Sequence, residues 1–316
     1  AAMSFVAIPA MVGPLLGPTV GGWLVQVASW HWVFLINLPI GLIGLLVAWK
    51  VMPDHRGGHD HGFDLSGYLL LAAGMVALSL ALDGLSGGNA RPALILLLAL
   101  GGLAALCAYW LHAAHTMHPL FPLQLFQVPA FRIGLLGNLF ARIGSGAMPL
   151  LVPLLLQLGA GLPPMQAGMM MIPMTLAGMA SKRLSVRLVT ALGYRRVLMV
   201  NTLLVGLMMA SFALFDPRWP LLLQLLQLAM FGALNALQFT AMNTVTLRDL
   251  DAARASPGNS LLSMVMMLAN GFGVAAAGSL LAVFAPAAGT GAGMSSALQG
   301  TFVCVGALTA LSTLIF

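Results

Sequence analysis

The sequence predicts an all-α polytopic membrane protein. Of its 316 residues, 60% are hydrophobic and only 6% are charged, and the mean hydropathy is +0.99. A soluble globular domain carries about 25% charged residues. Apolar stretches long enough to cross a bilayer also recur along the whole chain. Together these observations exclude a soluble enzyme or a soluble binding domain.

Ten apolar stretches of about 20 residues or more, the length that crosses a bilayer, divide the chain. They fall at 3–28, 33–52, 65–83, 92–111, 131–158, 164–187, 195–215, 219–245, 257–284 and 299–316. We therefore predict about ten transmembrane helices.

The first stretch contains a Gly-Pro-x-x-Gly-Pro-x-x-Gly-Gly run. Its residues are Gly13, Pro14, Gly17, Pro18, Gly21 and Gly22. Two prolines four residues apart break a soluble helix, but a membrane helix tolerates them where neighbouring helices pack closely. The glycines, spaced four apart, leave a ridge without side chains. We predict a kinked helix that packs tightly against another helix along this run.

The basic residues are distributed unevenly between the two sides. One side receives Lys50, Arg56, Arg132, Lys182, Arg183, Arg187, Arg195, Arg196, Arg248 and Arg254, and the other side receives Arg91 and Arg218. Cytoplasmic loops are enriched in Lys and Arg, so the first set is predicted to be cytoplasmic. The sequence pI of 10.2 thus reflects topology, and nucleic-acid binding is disfavoured.

Histidines cluster in the predicted loop at 53–64 and near the end of the fourth span. They are His55, His59 and His61, beside Asp54 and Asp60, and His112, His115 and His118. The first group could bind a transition metal, but its glycines favour a flexible linker. The second group is interpreted as residues at the lipid headgroup level. Cys107 and Cys304 lie in apolar spans, so neither a disulfide, a metal site nor a cofactor is predicted.

Further motifs follow the Gly-Pro run in a fixed order. They are SWHWVFLINLPIG at 29–41, FDLSG at 63–67, ARIGSG at 141–146, MIPM at 171–174, GYRRVL at 193–198, MNTVTLRDL at 242–250 and GNSLLSM at 258–264. Over nearly the whole chain, this set resembles the 14-helix drug:proton antiporter branch of the major facilitator superfamily. The Gly-Pro run resembles the antiporter motif, which lies on the fifth helix of that family.

The resemblance implies a major facilitator fold and a domain organisation. Residues 1–52 would supply the last two helices of the N-terminal bundle, and 53–64 a cytoplasmic loop. Residues 65–111 would form the two extra central helices, 112–130 a cytoplasmic linker, and 131–316 the C-terminal six-helix bundle. The first four helices of the family would be absent from this chain.

Arg142 is the strongest candidate for a functional residue. An ionised side chain in the middle of a span costs about 2.5 to 3.5 kcal/mol on insertion scales, so it should face a partner or a water-filled cavity. It lies about 16 Å along the helix from Phe131, near the middle of a core about 30 Å thick. Asn138 and Ser145 share its helix face and are predicted to line the substrate cavity with it. The alternative is an arginine that extends to the cytoplasmic headgroups.

A polar stripe follows the eighth span. Its residues are Gln224, Gln227, Phe231, Asn235, Gln238 and Met242. Amides on one face of a membrane helix either bond to another helix or line a cavity, and the sequence leaves both interpretations open. In the second case Asn235, Gln238 and Met242 would join Arg142 in contacting substrate.

Five basic residues surround Gly193 in a predicted cytoplasmic loop: Lys182, Arg183, Arg187, Arg195 and Arg196. They could simply set the topology. The resemblance implies in addition that this loop is the counterpart of the charged cytoplasmic signature of the N-terminal half, a latch that stabilises one transport state.

The predicted function is proton-coupled multidrug efflux by alternating access in the bacterial inner membrane. The expected partners are lipophilic or cationic drugs, protons and the lipid bilayer. A symporter that imports a small metabolite is the nearer alternative, and a structural membrane subunit without transport activity is the remoter one. An enzyme is not predicted, because the chain contains no His-Glu-x-x-His motif and no P-loop.

Overall fold

The computed structural model describes residues 17, 19–51, 63–86, 91–117, 119–284 and 291–315. The regular elements in these ranges are all helices, and eight of them are long and apolar enough to cross a membrane. The predicted all-α polytopic fold is therefore confirmed.

Twelve longer helices are numbered here in chain order within the described residues. They are α1 (19–27), α2 (Trp30–Leu35), α3 (Asn37–Val51), α4 (Leu65–Ser86), α5 (Pro92–His115), α6 (Pro129–Leu154), α7 (Pro164–Met170), α8 (Ile172–Leu192), α9 (Tyr194–Ser211), α10 (Leu221–Arg248), α11 (Ala252–Phe284) and α12 (Gly291–Leu311). Short helical turns occupy Leu123–Gln127, Leu155–Gly159, Phe212–Leu214 and Ser312–Ile315.

Eight of the ten predicted spans correspond to the eight long apolar helices. These run over His31–Val51, Leu65–Leu85, Pro92–His115, Pro129–Gly159, Tyr194–Leu214, Leu221–Arg248, Arg254–Phe284 and Met294–Leu314. Most of the first predicted span, 3–28, lies outside the described residues. Proline begins α5, α6 and α7, where its missing N–H would have no helical partner in any case.

The predicted span at 164–187 is wrong as a single helix. It folds as α7 and α8, which are joined at Met171. Pro173 lies in the first turn of α8, and a proline ring clashes with the carbonyl four residues earlier. The break therefore falls just before the proline. From there α8 continues to Leu192, five residues beyond the predicted end.

The outer half of α6 is also irregular. Pro149 and Pro153 lie inside the helix, and each removes one backbone hydrogen bond. The helix then widens into a π turn at Leu155–Gly159, which is closed by a 2.9 Å bond from the Ala160 amide to the Leu155 carbonyl. Two prolines and a π turn, both known causes of helix kinks, thus interrupt this part of α6.

Four helix pairs dominate the packing: α4 with α5, α6 with α11, α8 with α10, and α9 with α12. Each pair brings two glycines face to face. They are Gly74 and Gly102, Gly146 and Gly273, Gly178 and Gly232, and Gly206 and Gly306, in the same order of pairs. A Cβ at Gly206 would lie 2.7 Å from the Gly306 carbonyl oxygen, and a Cβ at Gly306 would lie 2.6 Å from that of Gly206. Close backbone approach through small residues therefore holds the bundle together.

The largest buried cluster lies within α6–α12, where three aromatic rings meet. The Phe212 ring lies 5.8 Å from the Phe231 ring and 5.5 Å from the Phe302 ring, and all three side chains are buried. In contrast, no residue of α3 is buried against the rest of the described chain. Helix α4 packs against α11, so the pair α4–α5 adjoins the C-terminal six helices.

Candidate functional site

The candidate site lies where α6 packs against α10. Asn138, Arg142 and Ser145 follow one another on α6 at helical spacing, so they share one face. The two helices run in opposite directions, because Asn138 contacts Thr246 whereas Ser145 contacts Asn235. The predicted α6 face therefore meets polar residues of α10 along about two helical turns.

Arg142 lies at the centre of this face and is half-buried. Its Nε donates a 3.1 Å hydrogen bond to Asn138 Oδ1, and its guanidinium carbon lies 4.2 Å from the centre of the Phe239 ring. This is a cation–π contact. Its Nη2 is buried and has no hydrogen-bond partner among the described residues. The site therefore holds a strong donor whose bonding capacity is incompletely used.

Asn138, one helical turn before Arg142 on α6, holds the arginine in place. The Asn138 side chain is fully buried, and its Nδ2 donates to the Gly134 carbonyl at 3.0 Å and to Thr246 Oγ1 at 3.2 Å. The Thr246 hydroxyl in turn donates to the Met242 carbonyl at 2.7 Å. Both polar atoms of the Asn138 amide therefore have hydrogen-bond partners within the protein. Asn138 supports Arg142 and does not face an open cavity.

Ser145 and Asn235 join the two helices one turn further along. The Ser145 hydroxyl donates a 2.8 Å hydrogen bond to Asn235 Oδ1, and both residues are half-buried. The Phe239 side chain beside them is 45% exposed. Arg142, Ser145, Asn235 and Phe239 thus form a partly open face that combines one positive charge, one hydroxyl, one amide and one aromatic ring. We call these four residues the Arg142 face.

Gln238 and Met242 turn away from the Arg142 face. The Gln238 side chain accepts a 2.7 Å bond from Asn201 Nδ2 and donates a 2.6 Å bond to Thr202 Oγ1, both on α9. Met242 is 1% exposed and packs in a buried cluster. We find no geometric support for drug contact by either residue, because both are enclosed between helices.

The remaining amides of the α10 stripe are also used within the protein. Gln224 donates to the Pro217 and Trp219 carbonyls, and Gln227 donates to Ser211 Oγ at 3.0 Å. The geometry therefore favours interhelical and loop bonding for the amides of this stripe. Asn235, which accepts from Ser145 of α6, differs from the others in lying on the partly open Arg142 face.

The Gly-Pro run is described only in part. Gly13, Pro14 and Pro18 lie outside the described residues. A Cβ at Gly17 or Gly21 would meet no atom within 4 Å, whereas one at Gly22 would lie 2.5 Å from the Pro164 carbonyl oxygen. Gly22 is therefore the residue at which α1 approaches α7.

A cavity of about 320 Å³ adjoins this contact. Its walls include Gly21, Gly22 and Val25 of the first helix, Pro153 of α6, Gln157 of the π turn and Pro164 of α7. The N-terminal helix and the irregular outer half of α6 therefore meet around a largely apolar space.

Comparison with known proteins gives the family of the chain. A family model described as the Major Facilitator Superfamily matches residues 1–274. The chain belongs to this superfamily. It is therefore a member of a transporter family and not an enzyme.

Several relatives within the superfamily carry the name "Putative multidrug resistance protein MdtD". The protein of Pectobacterium carotovorum subsp. carotovorum is 48% identical over 295 residues, which cover 92% of this chain and 63% of the relative. Those of Pectobacterium atrosepticum and Salmonella typhi are 48% and 46% identical over the whole of this chain, which covers 68% and 67% of their lengths. The chain thus spans about two thirds of the length of these relatives.

The basic residues around Gly193 lie on helices and not in a loop, so the predicted loop is wrong in extent. Lys182, Arg183 and Arg187 belong to α8, and Arg195 and Arg196 belong to the first turn of α9. Only Gly193 separates the two helices, with a φ of +77° that favours glycine. Arg187 and Arg196 are exposed, and the side chains of Lys182 and Arg183 are not described. The latch role of this set stays a prediction for this member of the superfamily.

Sequence reasoning missed Phe239, Thr246, Asn201 and Thr202. Phe239 directly follows Gln238, and it lies four residues after Asn235, which places both on one helix face. That spacing was available in the sequence as a signal. The sequence contains no comparable signal for Thr202 and Thr246, because their roles depend on which helices pair and in which register.

Proposed function

We propose that the full-length protein is a proton-coupled multidrug efflux antiporter of the bacterial inner membrane. Membership of the superfamily and the names of the relatives support the transport of drugs. The observation that carries the proposal is the Arg142 face, on which a buried guanidinium nitrogen lacks a partner in the described chain beside a half-exposed aromatic ring. Charged residues inside a bundle mark substrate or ion pathways.

The chemistry of the Arg142 face indicates the class of drug. Phe239 and the guanidinium plane offer stacking surfaces to an aromatic, lipophilic molecule, and Ser145 and Asn235 offer hydrogen bonds. A drug cation in direct contact would be repelled by Arg142. Within the described chain no carboxylate forms an ion pair with Arg142 that could offset this repulsion. We therefore propose neutral aromatic drugs as the preferred substrates, with cationic drugs requiring an acidic residue elsewhere in the full-length protein.

Alternating access would couple drug to proton. Two helix bundles would move about a site near the bilayer midplane, and the proton and the drug would favour different states, so that one leaves as the other binds. In this proposal Arg142, Ser145, Asn235 and Phe239 contact the drug, and Asn138 fixes Arg142. Gly22, where a Cβ would lie 2.5 Å from the Pro164 carbonyl oxygen, marks the seam between the bundles.

The test compares Arg142→Ala with Arg132→Ala in the full-length protein. Both arginines lie on α6, and Arg132 is exposed near its start. Loss of a cation–π contact and of a hydrogen bond costs on the order of 1–3 kcal/mol, so Arg142→Ala should lower drug efflux by roughly 5- to 150-fold. Arg132→Ala should leave efflux unchanged. Membrane insertion, measured by immunoblot, should be equal for both.

Proteoliposomes distinguish the transport modes. An antiporter moves protons and drug across the membrane in opposite directions. An imposed pH gradient should therefore drive the drug in the direction opposite to the protons. Movement of drug and protons in the same direction would instead establish the symporter. Drug transport by Arg142→Ala at the rate of the unmodified protein would remove Arg142 from the mechanism.

A further inference from the structure

Asp64 is a nearly buried carboxylate with an unusually full set of donors. Its side chain is 5% exposed and lies directly before α4. It accepts hydrogen bonds from the Gly67 amide at 2.9 Å, the Leu120 amide at 3.2 Å, the Ser66 hydroxyl at 3.3 Å and His112 Nε2 at 2.8 Å. A buried carboxylate with this many donors is stabilised as an anion.

The charge of Asp64 is permanent at cellular pH. Burial acts to raise the pKa of this carboxyl, but the hydrogen bonds from Gly67, His112 and Leu120 outweigh it and lower the pKa below its ordinary value. A Cβ at position 67 would strike the carboxylate, so a side chain there would force Asp64 to shift. Asp64 therefore acts as a fixed acceptor and not as a proton carrier.

The donors of Asp64 come from three different parts of the chain. Gly67 lies in the first turn of α4, and His112 lies in the last turn of α5. Leu120 lies in the segment 119–122, which comes after α5. One carboxylate thus fastens the beginning of α4, the end of α5 and the segment that leaves them.

A second pair of hydrogen bonds attaches the same segment to α5, next to the contacts of Asp64. The Tyr109 hydroxyl donates to the Phe121 carbonyl at 3.2 Å and accepts from the Phe121 amide at 2.7 Å. Both residues are buried in one cluster, against which Leu261 and Met264 of α11 pack. The predicted linker is therefore held against α5 and α11 at consecutive residues and is not a free tether.

The same segment then enters the core of the C-terminal six helices. Leu125, in the short turn Leu123–Gln127, is fully buried beside Phe131 of α6 and Leu262 of α11. At the opposite end of α4, Ser279 Oγ of α11 donates to the Leu85 carbonyl at 3.3 Å. The pair α4–α5 is thus attached to α11 at both ends of α4.

We propose that Asp64 is a positioning residue, which clamps α4, α5 and the segment 119–122 onto the C-terminal six helices so that these elements move as one body during transport. α6, which carries Arg142, begins at Pro129, soon after the clamped segment. The clamp thereby fixes the position of the beginning of α6, the helix that carries Arg142 and Ser145. This inference rests on the proposed transport function, and its first test does not require transport.

The first test compares Asp64→Asn with Asp83→Asn in the full-length protein. Asp83 lies on the same helix and is exposed. An asparagine amide cannot accept the same bonds at both terminal atoms, so hydrogen exchange at the Leu120 and Phe121 amides should accelerate by about tenfold or more in Asp64→Asn. Asp83→Asn should exchange as the unmodified protein does. Unchanged exchange in Asp64→Asn would overturn the clamp.

The transport arm separates positioning from drug binding. Asp64→Asn should reduce the maximal efflux rate by about tenfold, as expected when bonds to an ionised acceptor are lost, while KM for the drug changes by less than about twofold. Asp64→Glu should restore part of the rate. An increase in KM with an unchanged maximal rate would contradict a positioning role.

A covalent link between α4 and α11 tests whether they move together. A Cβ at Gly271 would lie 4.0 Å from Leu82 Cδ1, so a short bifunctional maleimide should link Leu82→Cys to Gly271→Cys after Cys107 and Cys304 are replaced by alanine. The linked protein should transport within about twofold of the protein before linking, because a link inside one rigid body obstructs no motion. Transport that stops on linking would refute the single body. Absence of efflux already before linking would count against the proposed function instead.

Discussion

Asn235 and Gln238 lie three residues apart on α10, yet their amides meet different neighbours. Asn235 accepts from Ser145 on a half-buried face, whereas Gln238 is 5% exposed and bonds to Asn201 and Thr202 of α9. In a helix bundle, a rotation of 60° between positions i and i+3 is enough to separate a cavity from a packed interface. The two residues should therefore respond differently to substitution.

Replacing Gln238 with leucine should destabilise the protein without changing its drug affinity. The substitution leaves the buried amide of Asn201 and the hydroxyl of Thr202 without their partner, which costs about 1–3 kcal/mol. We expect a lower midpoint of thermal unfolding in detergent and an unchanged KM for efflux. Gln299→Leu, at an exposed position, is the matched control. A raised KM with an unchanged midpoint would return Gln238 to the drug site.

The Arg142 face was only partly predictable from the sequence. Asn138, Arg142 and Ser145 lie on one helix at spacings i, i+4 and i+7, so their common face follows from helix geometry alone. Phe239 and Thr246 face them only because α6 and α10 pair in one particular antiparallel register. No local pattern encodes that register, since many side chains across both helices determine it.

At the scale of helices, the predictions succeeded for length and failed at interruptions. Long apolar stretches identify membrane spans because the bilayer fixes their length. The break at Met171 depends on Pro173, and a proline in a membrane helix can be accommodated by a kink, a π turn or a complete break. Pro149 and Pro153 in α6 lead to the second outcome, and Pro173 to the third. Neighbouring helices decide between these outcomes, so the sequence of one span does not.

Adjacent glycines of α1 provide a matched test of the seam. A side chain at Gly22 would strike the backbone of Pro164 and Met165, which cannot yield as a flexible side chain can, whereas a side chain at Gly21 meets nothing within 4 Å. Gly22→Val should therefore push α1 away from α7 and lower efflux by about tenfold or more, consistent with a clash of 1–3 kcal/mol. Gly21→Val should have little effect. Equal efflux by the two variants would show that this contact plays no part in transport.

At the scale of the whole molecule, the eight long apolar helices and the family establish a multi-pass membrane protein. The division into 1–52, 65–111 and 131–316 stays a prediction. The contacts of Asp64 and Phe121 support a different mechanical grouping, in which the predicted linker joins the two extra helices to the C-terminal six. Composition alone could not indicate this, because a short segment between two spans has the same composition whether or not its backbone amides are bonded to a distant carboxylate.

The orientation of the molecule in the membrane follows from the predicted distribution of Lys and Arg. Met117, after α5, should lie on the cytoplasmic side, and Leu214, after α9, on the outer side. Both side chains are accessible, at 94% and 71% exposure.

In a protein whose Cys107 and Cys304 have been replaced by alanine, Met117→Cys should react with a membrane-impermeant maleimide only in inverted vesicles. Leu214→Cys should react only in intact spheroplasts. The two positions control for each other, since each serves as the unreactive site in the other preparation. Reaction of Met117→Cys in spheroplasts would reverse the topology, and with it the assignment of the Asp64 clamp to the cytoplasmic end of the bundle.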